Sequence, residues 1–186
     1  MPMEKPLKLT LASASPRRHE LLKTLGYDFN IVVPKIDETP LPKENPRTYA
    51  ERLAQEKAYA VTTTGVVIAA DTIVVNQKNI LEKPVDVAQA RAMLRSLSGM
   101  GHEVITGVCI KNADRTVLFS VVTQVFFRSL EEDEIDAYVA SGDPMDKAGA
   151  YAIQGGAAHM IHAINGSYTN VVGLPLSELH TALLSF

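Results

Sequence analysis

The sequence predicts an α/β fold in which helices flank a mixed, twisted β-sheet. Strand and helix patterns alternate in the first half of the 186-residue chain, which is typical of parallel strands. Residues 102–110 and 116–128 are two long strand patterns joined by the turn sequence KNADR, which predicts an antiparallel hairpin. Parallel and antiparallel pairs together make a mixed sheet. The length suits a single domain over residues 1–186, built of two merged lobes.

The first elements have clear start and stop signals. Ser15 is a candidate N-cap with Pro16 at the first helical position, and Gly26 is a natural stop for that helix. The run VVIAADTIVV is almost unbroken in its apolar character, as expected for a strand buried on both faces. The elements predicted in this half are strands at 7–12, 29–33 and 66–75, a helix between Pro16 and Gly26, and a helix at about 47–62.

The second half adds further helices around the predicted hairpin. Asp86 caps one helix, and Ser129 with Glu132 has capping-box spacing ahead of another. Residues 141–167 are rich in glycine and predict a loop, and a last helix begins near Pro175.

Composition argues against several kinds of partner. The net charge of −3 contains no basic or acidic block, which argues against nucleic acid or an anionic membrane as the main partner. The longest apolar runs are too short to span a bilayer, and residues 1–10 lack the apolar core of a secretory signal, so a cytoplasmic protein is expected. The single cysteine, Cys109, lies within a strand pattern, which favours packing over a nucleophilic role.

The helix that follows Ser15 opens on two arginines, Arg17 and Arg18. A helix N-terminus carries partial positive charge, so cations are disfavoured there. Two guanidinium groups beside the exposed first-turn N–H groups suit a docked anion such as a phosphate. The alternative is that both arginines are solvated, in which case their position would cost the helix little stability.

A carboxylate interrupts the long apolar strand. Asp71 lies in the middle of VVIAADTIVV, where a lone ionised side chain is expensive unless it is hydrogen-bonded, paired or bound to a metal. Such a residue could be a general base, a Mg²⁺ or Mn²⁺ ligand, or both, and the alternative is a carboxylate satisfied by backbone donors. Thr72 follows directly and points to the opposite face if the strand is regular.

Three lysines stand beside acidic residues or glycine-rich segments: Lys57, Lys83 and Lys147. Singly, each is typical of a surface ion pair. Gathered around one buried carboxylate, they would suit a triphosphate with a bridging metal. The sequence contains no GxxxxGK[ST] loop and no GxGxxG after a strand, so the standard nucleotide fingerprints are absent.

Together the motifs resemble the Maf family of nucleoside triphosphate pyrophosphatases along most of the chain. The resemblance rests on these blocks, in order: SASPRRHELL, IDE, YAERLAQEKA, VIAADTIVV, ILEKP, LSGMGHEVITGV, YVASGDPMDKAGAYAIQG and INGSYTNVVGLPL. It implies a Maf/ITPase-like fold with a central cleft between two lobes, and a homodimer. It also implies hydrolysis of a nucleoside triphosphate to the monophosphate and pyrophosphate with a divalent metal, Mg²⁺ or Mn²⁺. Asp71, in the AADT motif, matches the family's proton acceptor.

Within the family, the chain is most similar to the branch that acts on dTTP and UTP. The specificity positions of that branch are the first arginine of SPRR, the threonine after the aspartate and the glutamine of AIQG. They are Arg17, Thr72 and Gln154 here, and all three match. A glutamine amide can both donate to and accept from the edge of uracil or thymine. The branch that acts on 7-methyl-GTP differs at these places.

The hypothesis for the mechanism is that Asp71 orients a metal-activated water for attack on the α-phosphorus. Glu38 is expected to share the metal. The candidate phosphate contacts are Ser13, Arg18, Lys57, Lys83 and Lys147.

Two alternatives stand beside this hypothesis. Maf-like proteins are associated with inhibition of septum formation, so the chain could be a non-catalytic cell-division regulator that acts by binding a partner. It could also be a pyrophosphatase for 7-methyl-GTP or other modified nucleotides. The intact AADT and DKAGAYAIQG segments favour catalysis.

Overall fold

The computed structural model describes residues 7–186, which form a seven-stranded mixed sheet flanked by helices. The predicted α/β class is confirmed, while the prediction for the first six residues lies outside the described part. The strands are β1 (Leu9–Ala12), β2 (Phe29–Val32), β3 (Val66–Asn76), β4 (Asn79–Leu81), β5 (Gly101–Lys111), β6 (Thr116–Phe127) and β7 (Ile161–Asn165). The helices are α1 (Pro16–Lys23), α2 (Pro46–Tyr59), α3 (Val87–Leu97), α4 (Glu132–Ala140), α5 (Tyr168–Val172) and α6 (Leu176–Leu183).

The strand order is β2-β1-β3-β5-β6-β7, and β4 pairs with the end of β3. β1 runs parallel to both β2 and β3, whereas the other pairs are antiparallel. The predicted long hairpin is β5–β6, which pairs from Gly101–Phe126 to Lys111–Thr116. The parallel part of the sheet therefore consists of β2, β1 and β3, and the loop from β1 into α1 lies at this part of the sheet.

One edge of β3 is only partly covered. β1 pairs with residues 66–68, and β4 pairs with residues 74–76 on the same side. Within the described chain, no strand pairs with residues 69–73 on that edge. The opposite edge is paired with β5 without interruption. The gap leaves this edge of the strand without a neighbouring strand at residues 69–73, although most of their side chains are buried.

Alternate residues of β3 face two different layers. Odd-numbered residues pack against α2 in clusters that include Leu53, Ala54, Ala58, Val67, Ala69, Ile73 and Val75. Even-numbered residues near the start of β3 pack toward α6 in a cluster that includes Val66, Ile68, Ala70, Leu174, Leu179 and Leu183. A regular strand of period two therefore places Asp71 on the α2 face and Thr72 on the opposite face, as predicted.

Helix α2 lies unusually close to the sheet. At Gly107 on β5, a Cβ atom would lie 2.3 Å from the carbonyl oxygen of Ala50, so no side chain fits there. Farther along the sheet, α3 and α4 bury a separate cluster that includes Ala90, Leu94, Leu97, Val104, Val125, Ile135 and Val139. No helix within residues 7–186 is long and apolar enough to cross a membrane.

Two local predictions are wrong. The capping box of α4 joins Glu131 and Glu134 instead of Ser129 and Glu132, and Arg128 pairs with Glu134 to hold it. The segment 141–167 contains short 3₁₀ helices and the strand β7, because pairing with β6 supplies backbone partners that a glycine-rich sequence does not reveal.

Candidate active site

A cavity of about 1000 Å³ opens at the uncovered edge of β3. Its walls come from the loop after β1, the segment 33–40, one face of α2, and the segments 146–154 and 171–173. All the residues selected from the sequence line this one cavity: Ser13, Arg17, Arg18, Glu38, Lys57, Asp71, Thr72, Lys83, Lys147 and Gln154. Residues from both faces of β3 reach it because, within residues 7–186, no strand pairs with this edge of β3 at 69–73.

Asp71 is paired on the α2 face of the strand. The residue is 8% exposed, and its Oδ1 atom lies 2.6 Å from Nζ of Lys57. The same ammonium lies 2.8 Å from Oε1 of Glu38. Lys57 therefore joins two carboxylates that are 33 positions apart in the chain, and the cost of burying Asp71 is offset by a charge-assisted hydrogen bond.

Glu38 reaches this pair from a loop. Burial raises the pKa of Glu38, but the hydrogen bond and charge of Lys57, together with the charges of Lys83 and Arg18, outweigh burial and lower it overall. Glu38 is accordingly ionised at neutral pH.

Tyr49 supports the same region from α2. Its hydroxyl lies 2.8 Å from the carbonyl oxygen of Glu38 and 2.7 Å from Oε1 of Glu82. Burial, followed by the charge of Glu82, raises the pKa of Tyr49, so the phenol keeps its proton. The hydroxyl has one proton, so Tyr49 can donate to the Glu38 backbone or to the Glu82 carboxylate, both of which lie within hydrogen-bond distance.

The start of α1 forms the opposite wall. Ser15 caps the helix, and the nearly buried Ser13 accepts a hydrogen bond from the Ser15 N–H at 3.1 Å. Arg18 donates from Nε to the carbonyl oxygen of Gly173 at 2.8 Å and from Nη2 to Oγ1 of Thr72 at 2.9 Å. Desolvation lowers the pKa of Arg18, opposed first by the charge of Asp71, yet an arginine remains protonated at any physiological pH.

The remaining selected residues differ in how firmly they are held. Nζ of Lys147 lies 2.7 Å from Oδ1 of Asp146 and 2.6 Å from the carbonyl oxygen of Asp143. Lys83 and Gln154 are exposed at the cavity wall. Among residues 7–186, neither Arg17 nor Lys83 forms an ion pair with a carboxylate. These two cations are the ones best placed to meet an incoming anion.

The charges that line the cavity are balanced. Five cationic side chains, Arg17, Arg18, Lys57, Lys83 and Lys147, face five carboxylates, Asp37, Glu38, Asp71, Glu82 and Asp146. A polyphosphate alone would meet repulsion from the carboxylates, whereas a polyphosphate with a divalent cation would satisfy both sets.

Sequence reasoning missed Tyr49, Glu82, the carbonyl group of Gly173, and Thr106, whose hydroxyl lies 2.9 Å from that of Thr72. Tyr49 had a usable signal, because it precedes Leu53 and Lys57 by four and eight positions and so shares one face of α2 with them. The role of Thr106 depends on strand register, and that of Gly173 depends on tertiary packing, so neither had a local signal.

Comparison with known proteins decides the family. A family model described as Maf-like protein matches residues 8–186. The chain belongs to the Maf family. Among similar curated proteins named dTTP/UTP pyrophosphatase, that of Geobacter sulfurreducens is 54% identical and aligns over 92% of this chain and 93% of the relative. That of Vibrio cholerae is 49% identical over 96% and 98%. That of Salmonella typhimurium is 50% identical over 96% and 92%.

Membership confirms the resemblance drawn from the motifs, and with the mixed sheet it confirms the Maf-type α/β fold. Among solved structures, the Staphylococcus aureus Ham1 protein aligns with a TM-score of 0.45 and 15% identity, over 64% of this chain and 71% of that chain. That likeness is too remote to bear on function.

Proposed function

We propose that this Maf-family chain hydrolyses dTTP and UTP to the monophosphate and pyrophosphate. Relatives of about 50% identity, aligned over more than 90% of the chain, carry that activity as their name. The observation that carries the proposal is the buried Asp71 carboxylate, held by Lys57 at an open sheet edge in a cavity with five cationic side chains.

Asp71 is suited to the role of general base. Its Oδ1 atom is occupied by Lys57, and among the described residues its Oδ2 atom has no hydrogen-bond partner. That oxygen can accept the proton of a water that attacks the α-phosphorus. The bond between the α-phosphorus and the bridging oxygen then breaks, and pyrophosphate leaves with both electrons of that bond.

The carboxylates fit a divalent metal, Mg²⁺ or Mn²⁺. The Nζ atom of Lys57 contacts both Asp71 and Glu38, so the two carboxylates lie close enough together to serve as ligands of one divalent cation beside Lys57. Within residues 7–186, no group of three His, Cys, Asp or Glu side chains could hold a metal. Mg²⁺ is usually bound by one or two carboxylates, and phosphate oxygens and water molecules supply its other ligands. When bound, the metal would neutralise charge on the leaving pyrophosphate.

Several side chains are proposed to hold the substrate. The phosphates would be contacted by Ser13 in the loop after β1, by Arg18 in the first turn of α1, and by three lysines: Lys57, Lys83 and Lys147. Arg17, Thr72 and Gln154 would set the preference for the base. Arg17 precedes Arg18 in the sequence, and Thr72 contacts the guanidinium of Arg18. Gln154 lines the cavity from the segment 146–154.

We also propose a cytoplasmic location, a homodimer and a single domain of two lobes. Light scattering of the purified chain tests the homodimer.

The activity is tested with a panel of canonical and modified triphosphates in Mg²⁺ or Mn²⁺, with separate assays for pyrophosphate and orthophosphate. We expect pyrophosphate as the product and dTTP and UTP as the best substrates. No turnover of any triphosphate would favour a partner-binding role in septum formation. A preference for 7-methyl-GTP would favour the modified-nucleotide alternative, and orthophosphate as the first product would refute the mechanism.

Two variants test the residue roles. Asp71→Asn should keep the fold and lose most turnover, whereas Asp114→Asn, in the exposed β5–β6 turn, should keep the wild-type rate. Gln154→Glu should weaken the preference for uracil and thymine bases, and Gln124→Glu adds the same charge on an exposed strand position as its control. An unchanged substrate ranking in Gln154→Glu would count against the assigned role.

A further inference from the structure

Thr106 lies directly opposite Thr72 in the β3–β5 pair and is fully buried. Its Oγ1 atom lies 2.9 Å from Oγ1 of Thr72 and 3.1 Å from the carbonyl oxygen of Asn170. Thr72 Oγ1 in turn lies 2.9 Å from Nη2 of Arg18. Three hydrogen bonds in a row therefore connect a guanidinium in the cavity to the protein interior.

The direction of this chain follows from its two ends. The guanidinium of Arg18 can only donate and the carbonyl of Asn170 can only accept. The hydroxyl of Thr72 thus accepts from Arg18 and donates to Thr106, which donates to Asn170. In the reverse arrangement, Thr72 would donate to the carbonyl oxygen of Gly173 at 3.4 Å, which is a longer contact than the 3.1 Å between Thr106 and Asn170.

The inner end of the chain is firmly anchored. Asn170 is fully buried, and its side-chain amide donates to the carbonyl oxygen of Val104 at 3.1 Å and to Oγ1 of Thr123 at 3.0 Å. The acceptor for Thr106 therefore lies on a helix that is bonded to both strands of the hairpin. Among the described residues the Oδ1 atom of Asn170 has no partner, but both hydrogens of its amide nitrogen are used, and these two bonds hold the carbonyl acceptor in place.

This order determines what Thr72 and Arg18 can offer a ligand. The proton of Thr72 is committed to Thr106, so the hydroxyl has none to donate to a nucleotide. Arg18 commits two of its five N–H groups to Thr72 and Gly173, which fixes the plane of the guanidinium. Its remaining donors are thereby aimed before any ligand arrives.

We propose that Thr106 is a positioning residue that holds the Thr72 hydroxyl as an acceptor and so orients Arg18 for polyphosphate binding. The inference deepens the proposed pyrophosphatase function and rests on it. Thr72 then affects substrate choice through the placement of Arg18 and not by a hydrogen bond donated to the base.

The test compares Thr106→Val, which keeps the shape and removes the hydroxyl, with Thr106→Ser, which keeps the hydroxyl. We expect Thr106→Val to raise KM for UTP about tenfold with little change in kcat, because Arg18 binds phosphate in the ground state and the transition state alike. Thr106→Ser should restore most of the wild-type KM. A purely structural role would lower the active fraction, and hence kcat, while KM stayed constant.

A binding measurement keeps the inference separate from turnover. Calorimetric titration with the non-hydrolysable α,β-imido analogue of dUTP should give a Kd about tenfold weaker for Thr106→Val. Thr10→Val removes another buried strand hydroxyl, and it should bind as the wild type does. If Thr106→Val does not fold, Thr106→Ala replaces it in both measurements.

The double variant Thr72→Val, Thr106→Val should bind no more weakly than Thr72→Val alone, because both changes break one chain. Additive losses, or an unchanged Kd in Thr106→Val, would overturn the inference. A wild-type chain that binds the analogue but hydrolyses no triphosphate would refute the proposed function and leave this binding result to decide the role of Thr106.

Discussion

Acid should destabilise the folded chain through one buried histidine. His102 is the second residue of β5 and is 4% exposed, packed edge-on against the rings of Phe127 and Tyr151. Its Nε2 atom lies 2.6 Å from the hydroxyl of Tyr151, and within the described residues its Nδ1 atom has no partner. Burial lowers the pKa of His102 to about 4, because a charged imidazole there would lose its hydration without gaining a counter-ion.

The size of the effect follows from proton linkage. The unfolded imidazole titrates near its ordinary pKa of about 6.5, so between that pH and about 4 the unfolded state binds more protons than the folded state. Stability therefore falls as the pH falls through this window. The full loss is about 3 kcal/mol, of which about 2 kcal/mol is reached on going from about pH 7 to about pH 5.

The assay is urea unfolding at a series of pH values, followed by far-ultraviolet circular dichroism. His102→Gln keeps a polar group toward Tyr151 but cannot titrate. Between about pH 7 and about pH 5, its unfolding free energy should therefore fall by about 2 kcal/mol less than that of the wild type. His162→Asn removes an exposed imidazole from β7 and should keep the wild-type pH dependence. Equal slopes for the wild type and His102→Gln would refute the reasoning.

Three further predictions concern other parts of the molecule. Lys57→Met leaves Asp71 buried without its cation and should lower kcat/KM about 100-fold or more, as measured by pyrophosphate release; activity within about twofold of wild type would contradict this. Gly107→Ala places a Cβ atom 2.3 Å from the Ala50 carbonyl oxygen, so urea unfolding should reveal a loss of more than about 2 kcal/mol, and an unchanged midpoint would contradict it. Burial raises the pKa of Cys109 to about 11, so a thiol reagent should modify it in urea but not in the native state, and rapid native labelling would contradict this.

Much of the fold could be predicted because local and long-range preferences agree. The Ser15 and Asp86 caps and the apolar run of β3 are each encoded within a dozen residues, and the β5–β6 hairpin is encoded within one continuous segment, Gly101–Phe127. The strand β7 was missed because its stability comes from pairing with β6 and not from its own composition. The capping box was shifted by two residues because Arg128 selects Glu134.

The candidate site was predictable only where its chemistry is locally unusual. Asp71 interrupts an apolar strand, and Arg17 and Arg18 occupy a position that favours anions, so both features stood out without a structure. The pairing of Asp71 with Lys57 required the packing of α2 on β3, and the alignment of Thr72 with Thr106 required the register of β5. Such contacts join residues far apart in the chain, and no local pattern encodes them.

The gap between β1 and β4 explains how two adjacent residues of one strand can line the same cavity. In a fully paired strand, Asp71 and Thr72 would lie on opposite faces and could not share a cavity. Because the edge at 69–73 is uncovered, the cavity reaches both faces there. Asp71 then belongs to the α2 side with Lys57, and Thr72 belongs to the α1 side with Arg18. It follows that changes around Thr72 can retune substrate binding while the carboxylate proposed to take the proton stays in place.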